Sequence, residues 1–298
     1  MSFLKKTYAL VLKLITLLCG ADTAKKFDTR LRFNRNLNLK NPKTLADKVT
    51  YIELHQQSPL ASKCTDKWEV RSYVSSKGLG HILVPEVGGP WSSFDEIDFQ
   101  QLPDSFVLKA THGCKMNFIV KNKADLNIGN CKKEVTRWLR TTYGTYSMEP
   151  HYINIPHRIY AEKYLGEVSK LVDYKFHCIN GEPEFILVIT DRKSDGDKAM
   201  SVKIHLMDTN WNHINEVVGY KNETAGDGNI PAPEHLKEMV ECARILSKDF
   251  KFVRVDLYDT SEGILFGELT FTPAACVFPY LSEPFLLSEG AKLKIEEG

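Results

Sequence analysis

The chain has 298 residues, with 39 basic and 38 acidic side chains. A formal net charge of +1 argues against nucleic acid as a partner, so any anion-binding site must be local. The seven cysteines are odd in number and form no CxxC pair, which predicts reduced thiols in a cytoplasmic protein and excludes a disulfide framework.

The N-terminus has a basic start and an apolar stretch from Tyr8 to Cys19. Lys13 interrupts this stretch, which is shorter than the roughly 20 apolar residues that a membrane-spanning helix needs. For residues 1–25 we predict an amphipathic helix, and two alternatives stay open. It packs on the body of the protein, or residues 1–20 lie on a membrane surface. Residues 25–40 are basic and irregular, and we expect a linker or cover segment there.

Helical spacing begins after Thr44. The segment LADKVTYIELH predicts one helix, and SKCTDKWEVRSYVSSKGLG predicts a second that ends near Gly78 or Gly80. HILVPEVGG predicts a short buried strand, and the turn-rich segment after it predicts a brief helix around Asp95. Together these elements form a helical and α/β region that we assign to residues 26–105.

Strand patterns dominate from residue 106 onward. Two strands, Phe106–Ala110 and Asn117–Lys121, flank the segment THGCKM. The segment CKKEVTRWLRTTY predicts a helix. Three further strand segments follow, with a hairpin signal at Asn180-Gly181, and APEHLKEMVECARILSKDF is the last clear helix. This mixed, largely antiparallel order predicts an α+β protein built in layers.

Residues 252–273, FVRVDLYDTSEGILFGELTFTP, predict a hairpin with charges inside its apolar runs. Alternation in the first strand places Arg254 and Asp256 on one face, opposite its Val and Leu side chains. In the second strand it predicts that Leu265, Gly267, Leu269 and Phe271 share a face.

Two registers are plausible, with Asp256 opposite either Phe266 or Glu268. Both make the carboxylates of Asp256 and Glu268 direct or diagonal neighbours. One or two carboxylates together with substrate phosphates suit Mg²⁺. A surface salt-bridge cluster with Arg254 is the alternative.

Two other stretches suggest nucleotide contacts. Lys109 ends a strand before a glycine-containing loop, whose N–H groups could approach phosphates, although GxxxxGK[ST] and GxGxxG are absent. The alternative is an exposed hairpin with ordinary lysines. In AEKYLGE the strand ends at Gly166, and its backbone could contact adenine while Glu167 reaches ribose. The alternative is a plain strand end.

These signals follow one order: a lysine near a glycine-containing loop, a Glu-Lys-aromatic-Leu strand, Arg-x-Asp and Glu-x-Thr. In that order they resemble the ATP-grasp superfamily. The segments NPKTLADKVTYIELH, SKCTDKWEVRSYV, RIYAEKYL, DYKFHCINGEPEFI, KDFKFVRVDLY and FGELTFTP are similar to its TupA-like branch, over roughly residues 40–275. The resemblance implies two α+β subdomains that clasp ATP. We assign the smaller, with the phosphate loop, to residues 106–165 and the C-terminal one, with the metal site, to 166–298.

The resemblance also implies roles for single residues. Lys67 and Lys109 resemble the lysines that bind the ATP phosphates, and His112 and Gly113 fall in the mobile loop above them. The implied adenine hinge comprises Glu162, Lys163, Tyr164 and Leu165.

The hairpin residues take the remaining implied roles. Arg254 resembles the arginine that stabilises the transferring phosphoryl group, and Asp256 and Glu268 resemble the Mg²⁺ ligands. Thr270 stands where many ATP-grasp enzymes place Asn, which puts its role as a further metal ligand in question. Two more side chains, Lys175 and Arg192, are candidates to hold a substrate carboxylate or the γ-phosphate.

The implied function is ligation of a carboxylic acid to an amine with ATP and Mg²⁺, through an acylphosphate. The TupA-like branch is associated with teichuronopeptide and with capsular or O-antigen polysaccharide. The implied partners are therefore a uronic-acid-containing glycan or precursor and an amino acid or other amine, met in the cytoplasm or at the inner face of the membrane. Two alternatives stay open: a glycosyltransferase that uses Asp195-Gly196-Asp197, and an ATP-binding protein without catalysis.

Overall fold

The structure is a computed structural model that describes residues 3–56, 58–144, 148–166, 172–193 and 201–296. Side chains are described from Thr7 onward within these ranges, except at positions 192 and 193. The α-helices in this part of the chain are α1 Phe3–Cys19, α2 Ala21–Phe33, α3 Leu45–His55, α4 Pro59–Thr65, α5 Glu69–Ser76, α6 Ile128–Leu139, α7 Leu236–Ser247 and α8 Glu283–Lys292. None of them is long and apolar enough to cross a membrane.

The described strands form two sheets. They are β1 Glu86–Trp91, β2 Phe106–Ala110, β3 Asn117–Val120, β4 Ile159–Lys163, β5 Asp173–Ile179, β6 Glu182–Lys193, β7 Ser201–Met207, β8 Glu223–Ala225, β9 Phe252–Thr260 and β10 Gly263–Thr270. One antiparallel sheet has the order β1-β4-β2-β3. The other has the order β10-β9-β5-β6-β7-β8 and is antiparallel except for the pairing of β7 with β8. The α+β prediction is confirmed.

Each sheet has its own apolar core. In the four-stranded sheet, Phe106 and Leu108 pack against Val135 and Trp138 of α6. The small subdomain was predicted to begin at residue 106. The edge strand β1 of its sheet lies before that boundary in the sequence and pairs with β4.

The six-stranded sheet is covered on both faces. On one face Val253 and Val255 pack with α7 and α5. On the other, Phe185 and Phe252 pack with α3 and α8. Because apolar side chains are buried on both of its faces, this sheet is closely packed and holds the side chains on its strands in fixed positions.

The prediction of an irregular linker or cover segment at residues 25–40 is wrong for residues 25–33, where α2 continues through Phe33. Gly20, at φ 87°, separates α2 from α1. The buried face of α2 carries Lys25, Asp28 and Thr29, so hydrophobic periodicity does not reveal it. Helix α8 was likewise not predicted.

The predicted helix from Ser62 to Gly78 is two helices. Asp66 interrupts it, since its Oδ1 accepts the N–H groups of Trp68 at 2.8 Å and Glu69 at 3.2 Å. Carboxylates commonly cap new helices in this way. The buried strand predicted at HILVPEVGG is also wrong, because a 3₁₀ turn occupies Gly80–Ile82 and β1 begins at Glu86 as a half-exposed edge strand.

The hairpin of β9 and β10 follows one of the two predicted registers but carries a β-bulge at Gly267. A bulge inserts one residue into a strand and so reverses the alternation beyond it. Ile264 and Phe266 therefore join Leu269 in the core. The prediction that Leu265 shares a face with Leu269 and Phe271 is wrong.

Candidate active site

A cleft of about 870 Å³ lies between the two sheets. Lys109 of β2 and Glu162 of β4 line it from the four-stranded sheet. The six-stranded sheet contributes side chains from β5, β9 and β10. Lys67, between α4 and α5, closes one side. Charged residues far apart in the sequence therefore meet in one cavity, the usual form of a small-molecule site.

Arg254 joins the two hairpin carboxylates on the side of the six-stranded sheet. Glu268 pairs with Asp256 across the strands, and Thr270 pairs with Arg254. The Arg254 guanidinium donates to both oxygens of Asp256, at 2.6 and 2.7 Å. It also donates to Glu268 Oε1 at 3.3 Å and to Thr270 Oγ1 at 3.0 Å. Two adjacent acids that would repel each other are thus held together by one cation.

Two lysines complete this cluster. Lys175 Nζ lies 2.6 Å from Asp256 Oδ2 and 3.6 Å from Asp173 Oδ2. Lys67 Nζ lies 3.6 Å from Glu268 Oε2. The Asp256 side chain is 5% exposed and that of Glu268 is 35% exposed. Glu268 is therefore the carboxylate with an oxygen accessible from the cleft.

Neighbouring cations keep the Glu268 carboxylate ionised. Burial by itself would raise the pKa of Glu268, but Lys67, Arg254 and Lys175 outweigh it and lower the pKa to about 2. Burial likewise opposes the charge of Arg254, whose pKa Asp256 nevertheless raises above its ordinary value. At neutral pH Glu268 therefore carries a negative charge next to Lys67 and Arg254.

Glu162 forms a second charged site, on the four-stranded sheet. Its carboxylate contacts the Lys109 ammonium and lies 3.6 Å from Arg71 Nη1. The Tyr160 hydroxyl donates to it at 2.8 Å. Beyond Glu162 the chain runs along the cleft through Lys163, Tyr164, Leu165 and Gly166, which all line it. This is the stretch that the sequence predicts as an adenine hinge.

Some predicted residues do not line the cleft. The His112 side chain is fully buried, with Nε2 2.9 Å from the carbonyl oxygen of Trp138 and its ring stacked on His157 at 4.0 Å. Burial lowers its pKa to about 4, so it is neutral at pH 7. Gly113 lies against Met116 and Tyr143. Lys115, which the sequence did not single out, lines the cleft instead.

The remaining predicted residues fall into two groups. Arg254 and Thr270 contact the hairpin carboxylates from outside the cleft lining. Glu167, the Arg192 side chain and the segment Asp195-Gly196-Asp197 lie outside the described residues.

Arg71, Asp173 and Tyr258 are among the other lining residues that the sequence analysis missed. Two of them had a signal in the sequence. Asp173 is two residues from Lys175 on the same strand face, and Arg71 is four residues from Lys67.

The donor set suits Mg²⁺ bound together with phosphates. Within the described part of the chain, no three His, Cys, Asp or Glu side chains are arranged so that they could hold a metal ion by themselves. Asp256 and Glu268 supply two carboxylates, which is the number Mg²⁺ usually takes from protein in phosphate sites. Thr270 donates to Glu268 Oε1 at 2.9 Å and so orients this carboxylate.

Comparison with known proteins gives one matching family and several solved structures of low sequence identity. The model of the TupA-like ATP-grasp family matches residues 47–283. The D-alanine–D-alanine ligase of Bacillus anthracis complexed with ATP is 14% identical, with a TM-score of 0.45 over 76% of this chain and 61% of that one. This chain thus spans about three fifths of that ligase.

Two further solved structures are similar at the same low level. The D-alanine–D-alanine ligase of Helicobacter pylori is 12% identical over 85% of this chain and 70% of that one, with a TM-score of 0.44. The D-cycloserine synthetase DcsG is 13% identical over 84% and 78%, with a TM-score of 0.47. No curated protein matches the chain.

Proposed function

The chain belongs to the TupA-like ATP-grasp family, and from this we propose that it is a Mg-ATP-dependent ligase that joins a carboxylic acid to an amine. One observation carries the proposal. Asp256 and Glu268 lie paired on adjacent strands in a cleft that Lys67, Lys109 and Lys175 also line. Such a site can bind a nucleoside triphosphate, because carboxylates bind a divalent cation and lysines bind phosphates.

The proposed reaction has two steps. A carboxylate oxygen of the substrate attacks the γ-phosphorus of ATP, the bond to the β,γ-bridging oxygen breaks, and ADP leaves. An amine nitrogen then attacks the acyl carbon of the acylphosphate, phosphate leaves, and the nitrogen loses a proton. The products are an amide, ADP and phosphate. No side chain forms a covalent intermediate, so the protein acts through position and charge.

The residues of the cleft divide these tasks. Lys67 and Lys109 bind phosphate oxygens, and Arg254 stabilises the charge of the transferring phosphoryl group. When the substrates bind, the Lys175 ammonium moves away from Asp256 and holds the γ-phosphate or the substrate carboxylate. Mg²⁺, when bound, neutralises phosphate charge, and Asp256 together with Glu268 would hold it.

The family indicates the chemical class of the substrates but does not identify the individual compounds. The association of the TupA-like branch with capsular and O-antigen polysaccharide supports a uronic acid of a surface glycan as the carboxylate. An amino acid or amino alcohol would then supply the amine. The proposed glycan would be met in the cytoplasm or at the inner face of the membrane.

Nucleotide product analysis tests the proposal. The full chain is incubated with Mg-ATP, a panel of uronic acids and a mixture of amino acids, and ADP and phosphate are measured. We expect both products only when an acid and an amine are present together. Omitting one partner at a time identifies the substrate pair.

Two variants make this assay specific. Glu268→Gln should abolish ADP formation, whereas Glu262→Gln, which changes an exposed acid in the turn of the same hairpin, should leave it intact. ADP formation that Glu268→Gln does not reduce would overturn the proposed site. ATP binding without turnover for any pair would favour a protein that binds ATP without catalysis.

A further inference from the structure

Helices α1 and α2 form an N-terminal helical hairpin outside both sheets. Helix α1 packs mainly on α2, with Leu12 buried and the Tyr8 hydroxyl donating to Asp28 at 2.6 Å. Helix α2 in turn packs on the body, where the Tyr220 hydroxyl donates to the carbonyl oxygen of Arg32 at 3.1 Å. Helix α2 therefore covers one side of α1 and leaves the other side uncovered.

That other side is apolar and exposed. Leu10, Leu14, Leu17 and Leu18 follow the i, i+4, i+7, i+8 spacing of one helix face. Leu17 and Leu18 are 80% and 78% exposed. Single exposed leucines are common, whereas a continuous row marks a surface that another molecule covers.

The helical hairpin and the segment that follows it are also basic. Residues 1–43 contain ten of the 39 basic side chains and two of the 38 acidic ones. Both acids are paired, Asp22 with His55 at 2.8 Å and Asp28 with Arg32 at 3.0 Å. These 43 residues thus have a formal charge of +8, and the remaining 255 have −7.

We propose that α1 lies flat in the headgroup region of an anionic lipid bilayer. An apolar row within a strongly basic segment is typical of interfacial helices, whose leucines enter the acyl boundary while cations meet lipid phosphates. A helix of 17 residues is about 25 Å long, too short to cross the bilayer. A second copy of this surface would bring two strongly positive segments together, which charge repulsion opposes.

This orientation leaves the cleft free. No described residue of α1 or α2 lines it.

Co-sedimentation of the full chain with vesicles tests the proposal. Vesicles of phosphatidylcholine alone are compared with vesicles that contain phosphatidylglycerol, at low and high salt. We expect binding to the anionic vesicles only, and weaker binding at high salt because screening reduces the attraction. Leu17→Glu/Leu18→Glu should lower the bound fraction at least about tenfold, since two leucines are lost and two charges repelled.

A charge-matched control separates this surface from a general charge effect. Val218→Glu/Leu287→Glu adds the same charge at exposed apolar positions elsewhere, and it should bind like the original chain. Thermal unfolding should be the same for both variants, because the changed side chains are exposed.

Three results would overturn the proposal: no binding to anionic vesicles, equal binding to neutral ones, or equal losses in the two double variants. Light scattering adds one more, self-association that only Leu17→Glu/Leu18→Glu abolishes. That would show that a second copy, not lipid, covers the leucines.

Discussion

Glu162 on the four-stranded sheet and Glu268 on the six-stranded sheet both line the cleft and lie near a lysine, but protein partners enclose Glu162 more completely than Glu268. Glu162 is 8% exposed and contacts Lys109, Arg71 and Tyr160. Glu268 is 35% exposed, and the ammonium of Lys67 lies 3.6 Å from its Oε2. Glu162 therefore positions its protein partners, whereas Glu268 has an accessible oxygen that can accept a metal ion.

The largest expected effect comes from removing the cation that joins the hairpin acids. Arg254→Met leaves Asp256 and Glu268 adjacent without their shared guanidinium. Because breaking a buried ion pair strands a charge, we expect the free energy of unfolding to fall by about 3 kcal/mol. Urea unfolding measures this.

Arg137→Met is the control for Arg254→Met. It breaks an exposed pair with Glu134 on α6 and should cost less than about 1 kcal/mol. Equal losses in the two variants would show that Arg254 is only a surface charge.

Glu162→Gln tests the enclosed carboxylate. It leaves Lys109 and Arg71 without their shared acid, so we expect a loss of about 2 kcal/mol in the free energy of unfolding. The dependence of ATP affinity on Mg²⁺ should persist, because the proposed metal ligands are Asp256 and Glu268. Titration of ATP with and without Mg²⁺ checks this second part.

Glu86→Gln is the matched control for Glu162→Gln. Glu86 lies opposite Glu162 in the strand pair and is exposed, so its loss should cost less than about 1 kcal/mol. If Glu162→Gln also abolished the effect of Mg²⁺ on ATP affinity, the contrast between the two carboxylates would fail.

Acid should weaken the protein through Glu268. Its pKa in the folded state is lowered to about 2 from an ordinary 4.5. The stability that this carboxylate contributes is therefore present above pH 4.5 and is lost as the pH falls through about 2. Thermal unfolding between pH 5 and 2.5 should show a shallower decline for Glu268→Gln than for the original chain. Parallel curves would mean that the cations around Glu268 do not stabilise its charge.

Thr270→Val should have the smallest effect. It removes a hydroxyl that donates to Glu268 and accepts from Arg254, and one such hydrogen bond contributes about 1 kcal/mol. Thr270→Ser keeps the hydroxyl and should unfold at nearly the original urea concentration. If both variants unfold alike, the hydroxyl does not support the cluster.

Alternation along β9 was enough to predict which hairpin residues meet. A period of two places Arg254 beside Asp256, and a turn of hairpin length limits Glu268 to a direct or diagonal neighbour of Asp256. The bulge at Gly267 was beyond this reasoning, since an extra residue in one strand becomes visible only through its partner's pairing.

Sequence patterns also did not predict contacts between segments that are far apart in the chain. His112 stacks on His157, and nothing near His112 in the sequence signals that its loop turns inward. Helix α2 was missed for another reason, because a buried face that contains Lys25 and Asp28 lacks an apolar period.

ATP affinity with and without Mg²⁺, measured by titration calorimetry on the original chain and on Glu268→Gln, tests the central claim most directly. The account predicts that Mg²⁺ tightens ATP binding at least about tenfold, or 1.4 kcal/mol, in the original chain and has little effect in the variant. An equal gain in both proteins would contradict the claim that Glu268 holds the metal ion in this cleft.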